Sequence, residues 1–572
     1  MQNQPLAELG YVTSVNGSRA KVALQGGGAS AGHDESRVTI GKLIAVSTPM
    51  SMVVGVVSLV SGLKPDERNS ELFADIDFLG EILHHGSPEA HFQRGVSEYP
   101  AIGDKLVALH TGDIGLIHSV GAGETINVGR LQLDASVPAY INFDELLQKH
   151  FAILGTTGVG KSSSVALILR EILQKKSNLR IFLMDPHNEY GHCFGPMARI
   201  VSPKNLRLPF WLFNFEEIVD VFFRARPGVE EETEILSELI PIAKARFAAA
   251  GRGDRVMLRK TPGAGYTGDT PVPYRISDLV ELINDRMGKR ENRSSWMKYH
   301  RLITRIETLG QDSRYAFMFD SLFVEDMMGK VLSELFRLPM NGQPITVMQL
   351  AGFPSEVVDA VVSVLCRLAF EFGIWSDGAV PVLVACEEAH RYAPADRNLG
   401  FGPTRKAVSR IAKEGRKYSV FLGVVTQRPA DLDPNILSQC STVFAMRMAN
   451  ERDQAIVKSA VPDAGSSLIG FLASLGIREA IAFGEGVALP TRLRFADLAS
   501  EFLPRSQTEG RKRFQEIDAI DSDFVDAVVD RWRESSTTLP RGRGGAHVPG
   551  HDPLDLDQGF GSIEAFVAPK SR

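Results

Sequence analysis

Two hydrophobic patterns divide the chain near residue 125. Before that point, short runs of alternating apolar and polar residues are typical of β-strands. The predicted strands span residues 10–15, 19–24, 38–46, 52–59 and 105–109. The Asn16-Gly17 pair between the first two runs indicates a β-hairpin turn. Because no long helical period interrupts these runs, residues 1–125 are predicted to form a small β-barrel.

After residue 150 the pattern changes to buried strand, glycine-rich loop, helix and strand again. The predicted strands here span residues 150–154, 180–184, 345–349, 380–386, 420–425 and 443–446. This alternation is typical of βαβ units, so it predicts an α/β core with a parallel sheet. About 140 residues separate the second and third of these strands, too many for a plain loop.

Residues 205–342 therefore form a predicted helical insertion. Asn214 and Glu217 give a capping box, and residues 230–247 form an amphipathic run, with an exposed Gly/Pro hinge near 251–273. The expected division is a barrel, a first core segment, the insertion, a second core segment, and a C-terminal helix with a flexible tail. Their ranges are 1–125, 126–204, 205–342, 343–505 and 506–572.

Composition limits the classes of partner. The 572 residues carry a formal net charge of −6, which excludes a protein that coats nucleic acid through overall positive charge. Four cysteines without a CxxC pair indicate neither a zinc knuckle nor a disulfide framework, as expected for a reduced cytosol. No leader-like start or membrane-length apolar stretch is present, so we expect a cytoplasmic protein that does not engage a membrane.

The strongest chemical motif is a phosphate-binding loop between the strand at 150–154 and the following helix. It satisfies GxxxxGK[ST] with Gly155, Thr156, Thr157, Gly158, Val159, Gly160, Lys161 and Ser162, followed by Ser163. The glycines let backbone N–H groups wrap a phosphate at a helix N-terminus. Lys161 would neutralise β- and γ-phosphate oxygens, and the Ser162 hydroxyl would ligate Mg²⁺, so ATP and Mg²⁺ are the expected cofactors.

Acidic residues follow two other predicted strands. Glu387 and Glu388 end the apolar strand 380–386, where we assign Glu387 to the Mg²⁺ shell and Glu388 to activation of the attacking water. Glu387 stands where many P-loop ATPases have Asp. Asp185, and with it Glu189, follows the strand at 180–184 and can approach the metal and water from that side.

Gln427 ends the strand at 420–425, where its amide can sense a γ-phosphate or orient water. Before it, a predicted helix over 404–417 places a stripe of basic residues at helical spacing, with two further arginines beside it. The stripe is Lys406, Arg410, Lys413 and Lys417, and the neighbours are Arg405 and Arg416. In a ring, Arg416, or second Arg410, could act as an arginine finger at the neighbouring subunit's site. A solvated basic face is the alternative.

Several stretches together resemble the HerA family of DNA translocases and helicases. They are residues 92–104, the P-loop, 185–190, 387–390, 409–418, 426–429 and 432–440. The resemblance spans residues 9–495. It implies an ATP-synthase-type barrel, a RecA-like core with a helical-bundle insertion, and a hexameric ring around double-stranded DNA. It also implies a separate effector docked on the barrel, either a NurA-like nuclease in DNA end processing and repair or a sirtuin-like NADase in anti-phage defence.

Two rival functions keep the same motifs. A conjugation or secretion motor of the same superfamily would move its cargo through a membrane channel, but the chain lacks the membrane helices that many such proteins carry. An ATP-bound ring that only scaffolds an effector is the second rival. The intact set of Lys161, Glu388 and Gln427 argues against it.

Overall fold

The computed structural model describes residues 6–25, 37–62, 72–119, 123–223, 228–252, 265–288, 293–319, 324–353, 357–460, 466–505 and 529. The strands are β1 Glu8–Asn16, β2 Arg19–Leu24, β3 Leu43–Ser47, β4 Ser51–Gly62, β5 Leu72–Leu83, β6 His91–Arg94, β7 Lys105–Ala108, β8 Thr125–Leu131, β9 Pro138–Asn142, β10 Phe151–Leu154, β11 Arg180–Asp185, β12 Ala198–Val201, β13 Ile345–Gln349, β14 Val382–Cys386, β15 Val420–Thr426, β16 Thr442–Met446, β17 Glu479–Gly484 and β18 Thr491–Phe495. The helices are α1 Thr111–Ile117, α2 Phe143–Gln148, α3 Lys161–Lys175, α4 Phe215–Phe223, α5 Glu230–Arg252, α6 Ile276–Gly288, α7 Arg293–Gln311, α8 Ala316–Phe319, α9 Met328–Leu335, α10 Val358–Trp375, α11 Ala389–Tyr392, α12 Gly402–Glu414, α13 Pro434–Leu437, α14 Glu451–Ala460 and α15 Ser466–Ile469.

The N-terminal strands close into a barrel, as the alternating pattern predicts. Six strands pair in the order β2-β1-β7-β3-β4-β5, and the first half of β5 pairs back with β2. The short strand β6 pairs with the last residues of β5, beyond the part that pairs with β2. The predicted hairpin is confirmed, because Asn16 pairs with Arg19 across a turn in which Gly17 has a φ of 55°. Inward-facing Val12, Val22 and Ile44 are fully buried in the barrel core.

Strand boundaries in the barrel differ from the predicted ones. The run at 38–46 contributes only β3, because residues 39–42 form a turn in which Lys42 N–H donates to the Thr39 carbonyl at 3.1 Å. The long strand β5 and the short strand β6 were not predicted. A turn within an apolar run leaves the hydrophobic pattern intact, so the pattern alone places strand ends poorly.

The core sheet contains all six predicted strands, and these six pair in parallel as expected; the antiparallel strands at one side of the same sheet were not predicted. Its order is β12-β13-β11-β14-β15-β10-β16-β17-β18-β8-β9. Pairing is parallel from β12 to β16 and antiparallel from β16 onward. The short connection from β17 to β18 fits their antiparallel pairing, since an antiparallel pair needs only a hairpin whereas a parallel pair needs a crossover.

Arg94 connects the barrel to the core sheet by hydrogen bonds. Its guanidinium donates to the carbonyls of Gly484, Val487 and Ala488, at 2.8 Å for Gly484 and 2.6 Å for Ala488. These carbonyls lie at and after the end of β17, and they belong with the barrel to one compact unit. Because three carbonyls share one guanidinium, loss of Arg94 would leave several acceptors without a donor.

The described residues of Ser202–Val331 and Gly352–Ala360 form a second compact unit that is mainly helical. Helix α4 begins with the predicted capping box, in which Glu217 N–H donates to the Asn214 side chain and Asn214 N–H donates to the Glu217 carboxylate, both at 2.8 Å. Helices α5, α6 and α7 pack on one another, and each carries a buried leucine: Leu239, Leu279 and Leu302. Part of the predicted hinge, 253–264, and the tail from Ser536 lie outside the described residues.

Among the described helices, none has the length and apolar character of a membrane span.

His150 at the start of β10 joins three elements of the core. Its Nδ1 accepts from Leu422 N–H and its Nε2 donates to the Ala412 carbonyl, both at 2.9 Å. Only the neutral imidazole satisfies both bonds, and burial lowers the pKa of His150 from 6.5 to about 4. As pH falls through this window, the unfolded chain takes up a proton that the folded chain does not. Folding stability contributed by neutral His150 is therefore lost between about pH 6.5 and pH 4.

We expect His150→Gln to show a smaller loss of unfolding free energy on acidification from about pH 7.5 to about pH 5 than the wild type, by about 2 kcal/mol. Urea denaturation near pH 7.5 and near pH 5 measures the difference. His91→Gln is the control, because His91 is exposed and its replacement should leave the pH dependence of stability unchanged. An unchanged pH dependence in His150→Gln would contradict the assignment.

Candidate nucleotide site

The predicted P-loop lies at the carboxyl end of the parallel strands, between β10 and the first turn of α3. Gly158 and Gly160 have φ values of 78° and 90°, which side chains with a Cβ rarely adopt. Gly155 N–H donates to the Thr426 carbonyl at 3.2 Å. Thr156 donates to the Arg447 carbonyl through both N–H, at 3.1 Å, and Oγ1, at 3.0 Å. The ends of both neighbouring strands therefore hold the loop.

Lys161 and Glu388 meet inside the site. Lys161 Nζ lies 3.5 Å from Glu388 Oε1, and both side chains are almost entirely buried. Glu388 follows β14 with a left-handed φ of 52°, a strained backbone conformation for a residue with a side chain. Such strain is common where a side chain must be aimed at a ligand. The strand β15 separates β10 from β14, so both residues reach the same edge of the sheet.

Glu387, Tyr190 and Asp185 form a buried group beside this pair. Tyr190 donates from its hydroxyl to Glu387 Oε1 at 3.0 Å, and Asp185 accepts from Tyr190 N–H at 2.9 Å. Burial, reinforced by Asp185 and Glu189, raises the pKa of Glu387 well above its ordinary value. Burial also raises the pKa of Asp185 to about 6. Several carboxyl groups out of water create a strong demand for a cation.

Ser162 contacts Glu189, whereas the sequence predicts Glu387 as the acid that shares the metal with Ser162. Its Oγ donates to Glu189 Oε2 at 3.0 Å, in the loop that follows β11. Glu189 N–H donates to Asp185 at 3.1 Å, so this loop folds back toward its own strand. Ser163 is half-buried in the next helical position. Glu189 is thereby a direct neighbour of the P-loop.

Gln427 lies against the P-loop, where its Oε1 accepts from Thr157 Oγ1 at 2.5 Å. One residue earlier, Thr426 Oγ1 lies 2.9 Å from His390 Nδ1, and that nitrogen is 3.3 Å from Glu388 Oε2. A continuous set of polar contacts therefore runs from the Glu388 carboxylate to the end of β15. Burial lowers the pKa of His390, which favours its neutral form.

The basic segment before β15 differs from its prediction. Helix α12 ends at Glu414, and a 3-10 turn over Gly415–Tyr418 replaces the last predicted helical turn. A Cβ on Gly415 would lie 2.3 Å from the Val420 carbonyl, so this tight turn requires glycine. Arg416 is exposed on the turn. The Arg410 guanidinium lies 4.5 Å from the centre of the Phe370 ring on α10.

The donor set of the site fits ATP with Mg²⁺. Within the described residues, Glu387 Oε2 and Glu388 Oε2 are buried without a hydrogen-bond partner. The carboxyl and hydroxyl groups beside Lys161 are oxygen ligands, and Mg²⁺ prefers oxygen ligands and phosphate. A group of three or more His, Cys, Asp or Glu arranged as a metal cage is absent from the described part of the chain. Mg²⁺ in nucleotide sites usually binds few protein side chains and completes its shell with phosphate and water.

Sequence reasoning missed four contributors to this site. Tyr190 and His390 stand inside quoted motifs, but nothing in their spacing indicates which carboxylate each one contacts. The Arg447 carbonyl after β16 holds Thr156. Arg478, just before β17, donates from its backbone N–H to the Val159 carbonyl at 2.8 Å. No local signal marks these last two, because their partner lies about 300 residues away in the chain.

The P-loop lies at the carboxyl end of parallel strands, and a buried acidic pair follows β14, two strands away from β10. This arrangement defines a P-loop nucleoside triphosphatase. The sequence profile of the HerA helicase central domain matches residues 126–369. The DNA double-strand break repair helicase HerA of Pyrococcus furiosus is 26% identical over 511 residues, covering 82% of this chain and 84% of that protein. The HerA of Sulfurisphaera tokodaii is 24% identical, covering 85% and 94%. These matches support the assignment of the chain to the HerA family.

Among solved structures, VirB4 of Thermoanaerobacter pseudethanolicus superposes with a TM-score of 0.45 at 14% identity, covering 66% of this chain and 98% of that one. The bacterial conjugative coupling protein TrwB superposes with a TM-score of 0.43 at 13% identity, covering 69% and 94%.

Proposed function

We propose that this chain is an ATP-hydrolysing motor that moves double-stranded DNA. The observation that carries the proposal is the buried Lys161–Glu388 pair at 3.5 Å, held beside a P-loop with Gln427 against its rim. Family membership supports the cargo, because the relatives of similar length are named as DNA double-strand break repair helicases.

In this proposal the P-loop N–H groups and Lys161 hold the triphosphate, and Ser162 with Glu387 would hold Mg²⁺. The metal would neutralise charge on the transferred phosphoryl group. Phosphate oxygens would compete with Glu388 for Lys161, and that release frees a Glu388 carboxylate oxygen to accept a proton from the attacking water. Gln427 orients that water. Asp185 anchors the loop carrying Glu189 and Tyr190, and Tyr190 fixes Glu387 by its hydrogen bond.

The proposal includes a homo-hexameric ring, in which Arg416 would reach the neighbouring subunit's nucleotide. Its exposed position on a tight turn at the entrance to β15 supports this role. Arg410 is the second candidate, although its stacking on Phe370 ties it to its own core. We further propose a separate NurA-like nuclease or sirtuin-like NADase as effector, a cytoplasmic location, and work in DNA repair or anti-phage defence.

The domain division also stays a proposal. We propose a barrel over 1–125, a RecA-like core over 126–204 and 343–505, and a helical insertion over 205–342. Support comes from the closed barrel and from the helices that lie between β12 and β13 in sequence. The predicted C-terminal helix and tail, 506–572, lie outside the described residues except for residue 529.

DNA contacts must be local because the chain has a net charge of −6. The candidate phosphate contacts are Arg397 and Arg405. Arg397 lies between β14 and α12 and is exposed, whereas Arg405 lies on α12 and is half-buried. Phosphate contacts release counterions, so we expect stimulation of ATP hydrolysis by duplex DNA to fall steeply with salt. The expected log-log slope is about one unit per phosphate neutralised, with little dependence on DNA sequence.

The measurement is ATPase activity against duplex DNA concentration at several salt concentrations. Arg397→Ala should lower the slope by about one unit. Lys175→Ala, at the far end of α3 from the P-loop, is the control and should leave the slope unchanged. Absence of stimulation by duplex DNA of any length would refute the DNA motor, and a scaffold ring or a secretion motor would then explain the site.

A further inference from the structure

Arg478 has a backbone conformation that its side chain does not favour. Its φ is 62°, in the left-handed region that glycine adopts without strain. The residue donates its backbone N–H to the Val159 carbonyl of the P-loop at 2.8 Å. Any residue except proline could make this bond, and glycine could make it with less strain. This backbone hydrogen bond to the P-loop therefore does not explain why residue 478 is an arginine.

The Arg478 side chain lies on the P-loop. Its Cγ is 2.6 Å from the place that a Cβ on Gly160 would occupy, so the aliphatic part of the side chain covers that glycine. The guanidinium pairs with Asp497, whose side chain is 76% exposed, while the Arg478 side chain is 23% exposed. An ion pair with so exposed a partner is weak and can be exchanged for another anion.

The strand order decides which end of a nucleotide this guanidinium would face. Glu388 and Gln427 follow β14 and β15, on one side of β10, and they mark the γ-phosphate end in the proposed function. Arg478 precedes β17, on the other side of β10 beyond β16. A triphosphate that lies along the P-loop with its γ-phosphate at Glu388 has its α-phosphate toward β16 and β17.

We infer that Arg478 binds the α-phosphate of the nucleotide, exchanging Asp497 for a phosphate oxygen. A guanidinium presents several hydrogen-bond donors in one plane, which matches the geometry of a phosphate group. Phosphate is therefore a stronger partner for Arg478 than an exposed carboxylate is. The inference rests on the proposed function, because it needs a nucleotide in the P-loop. It adds a binding residue from the same subunit, contributed by a segment 318 positions after Gly160.

The test is isothermal titration calorimetry in magnesium buffer with a non-hydrolysable ATP analogue, ADP, tripolyphosphate and pyrophosphate. Arg478→Gly should weaken the analogue, ADP and tripolyphosphate about tenfold each, because one charge-assisted contact is lost. Pyrophosphate, which fills only the β and γ positions, should bind as it does to the wild type. Arg478→Lys should recover part of the loss, and Asp497→Asn should bind the analogue as tightly as the wild type or more tightly.

A thermal unfolding scan without nucleotide separates binding from folding. Arg478→Gly should unfold at the wild-type temperature or above, since glycine relieves the left-handed strain. A lower unfolding temperature, or unchanged affinity for the ATP analogue, would overturn the inference, as would an unchanged affinity for tripolyphosphate. Lys161→Ala is the reference for the site. If wild type binds no nucleotide, the proposed function and this inference fail together; if only Arg478→Gly has no effect, the inference alone fails.

Discussion

Lys161→Ala should lose ATP binding, whereas Glu388→Gln should bind ATP and hydrolyse it at least about a hundredfold more slowly. The two residues touch in the site but have different tasks in the proposed reaction. Removing the ammonium group removes the main positive charge at the phosphates. Replacing the Glu388 carboxylate by an amide keeps its size and leaves Lys161 without its negative partner, so phosphate should bind at least as well. Hydrolysis should slow because the amide accepts a proton poorly.

Nucleotide affinity from calorimetry and steady-state hydrolysis of ATP together distinguish the two variants. Lys149→Ala and Glu485→Gln are the matched controls, because these residues form a half-exposed ion pair at the opposite end of β10 and β17. Both controls should retain wild-type binding and turnover. Near-wild-type hydrolysis in Lys161→Ala and in Glu388→Gln alike would remove the P-loop assignment.

Mixing Arg416→Ala subunits with Glu388→Gln subunits should restore ATP hydrolysis that neither variant supports alone. An arginine finger contributes about 10³-fold or more to turnover, so the first variant by itself should be nearly inactive. In a mixed ring, an interface is complete when it takes Glu388 from an Arg416→Ala subunit and Arg416 from a Glu388→Gln subunit. About a quarter of the interfaces in an equal, random mixture of one closed ring meet this condition.

The measurement is ATPase activity across mixing ratios, with formation of mixed rings checked by differently tagged subunits. Lys413→Ala is the control, since Lys413 is an exposed residue of α12 near the same turn and should stay active without mixing. If mixed rings form and no ratio restores hydrolysis, Arg416 does not act across the boundary. Arg410→Ala should then be tested in its place, with its stability measured because its side chain stacks on Phe370.

The sequence by itself determined the local parts of this protein. The Asn16-Gly17 turn, the Asn214–Glu217 capping box and the strand–loop–helix of the P-loop each depend on residues a few positions apart. Their conformations follow from backbone freedom, capping bonds and hydrophobic period, all of which can be read along the chain. The carboxylates at the end of β14 were found in the same way, because an apolar strand that ends in two acids has few structural uses.

Only the tertiary structure decided which of these parts meet. Lys161 and Glu388 are 227 positions apart, and they touch because parallel strands bring their carboxyl ends to one edge of the sheet. Tyr190 reaches Glu387 for the same reason, and Arg478 reaches Val159 because the antiparallel strand β17 begins at that edge. A hydrophobic period specifies which face of a strand is buried but not which strand lies beside it. Strand order, the antiparallel end of the sheet and the neighbours of each buried charge therefore depend on packing of the whole chain.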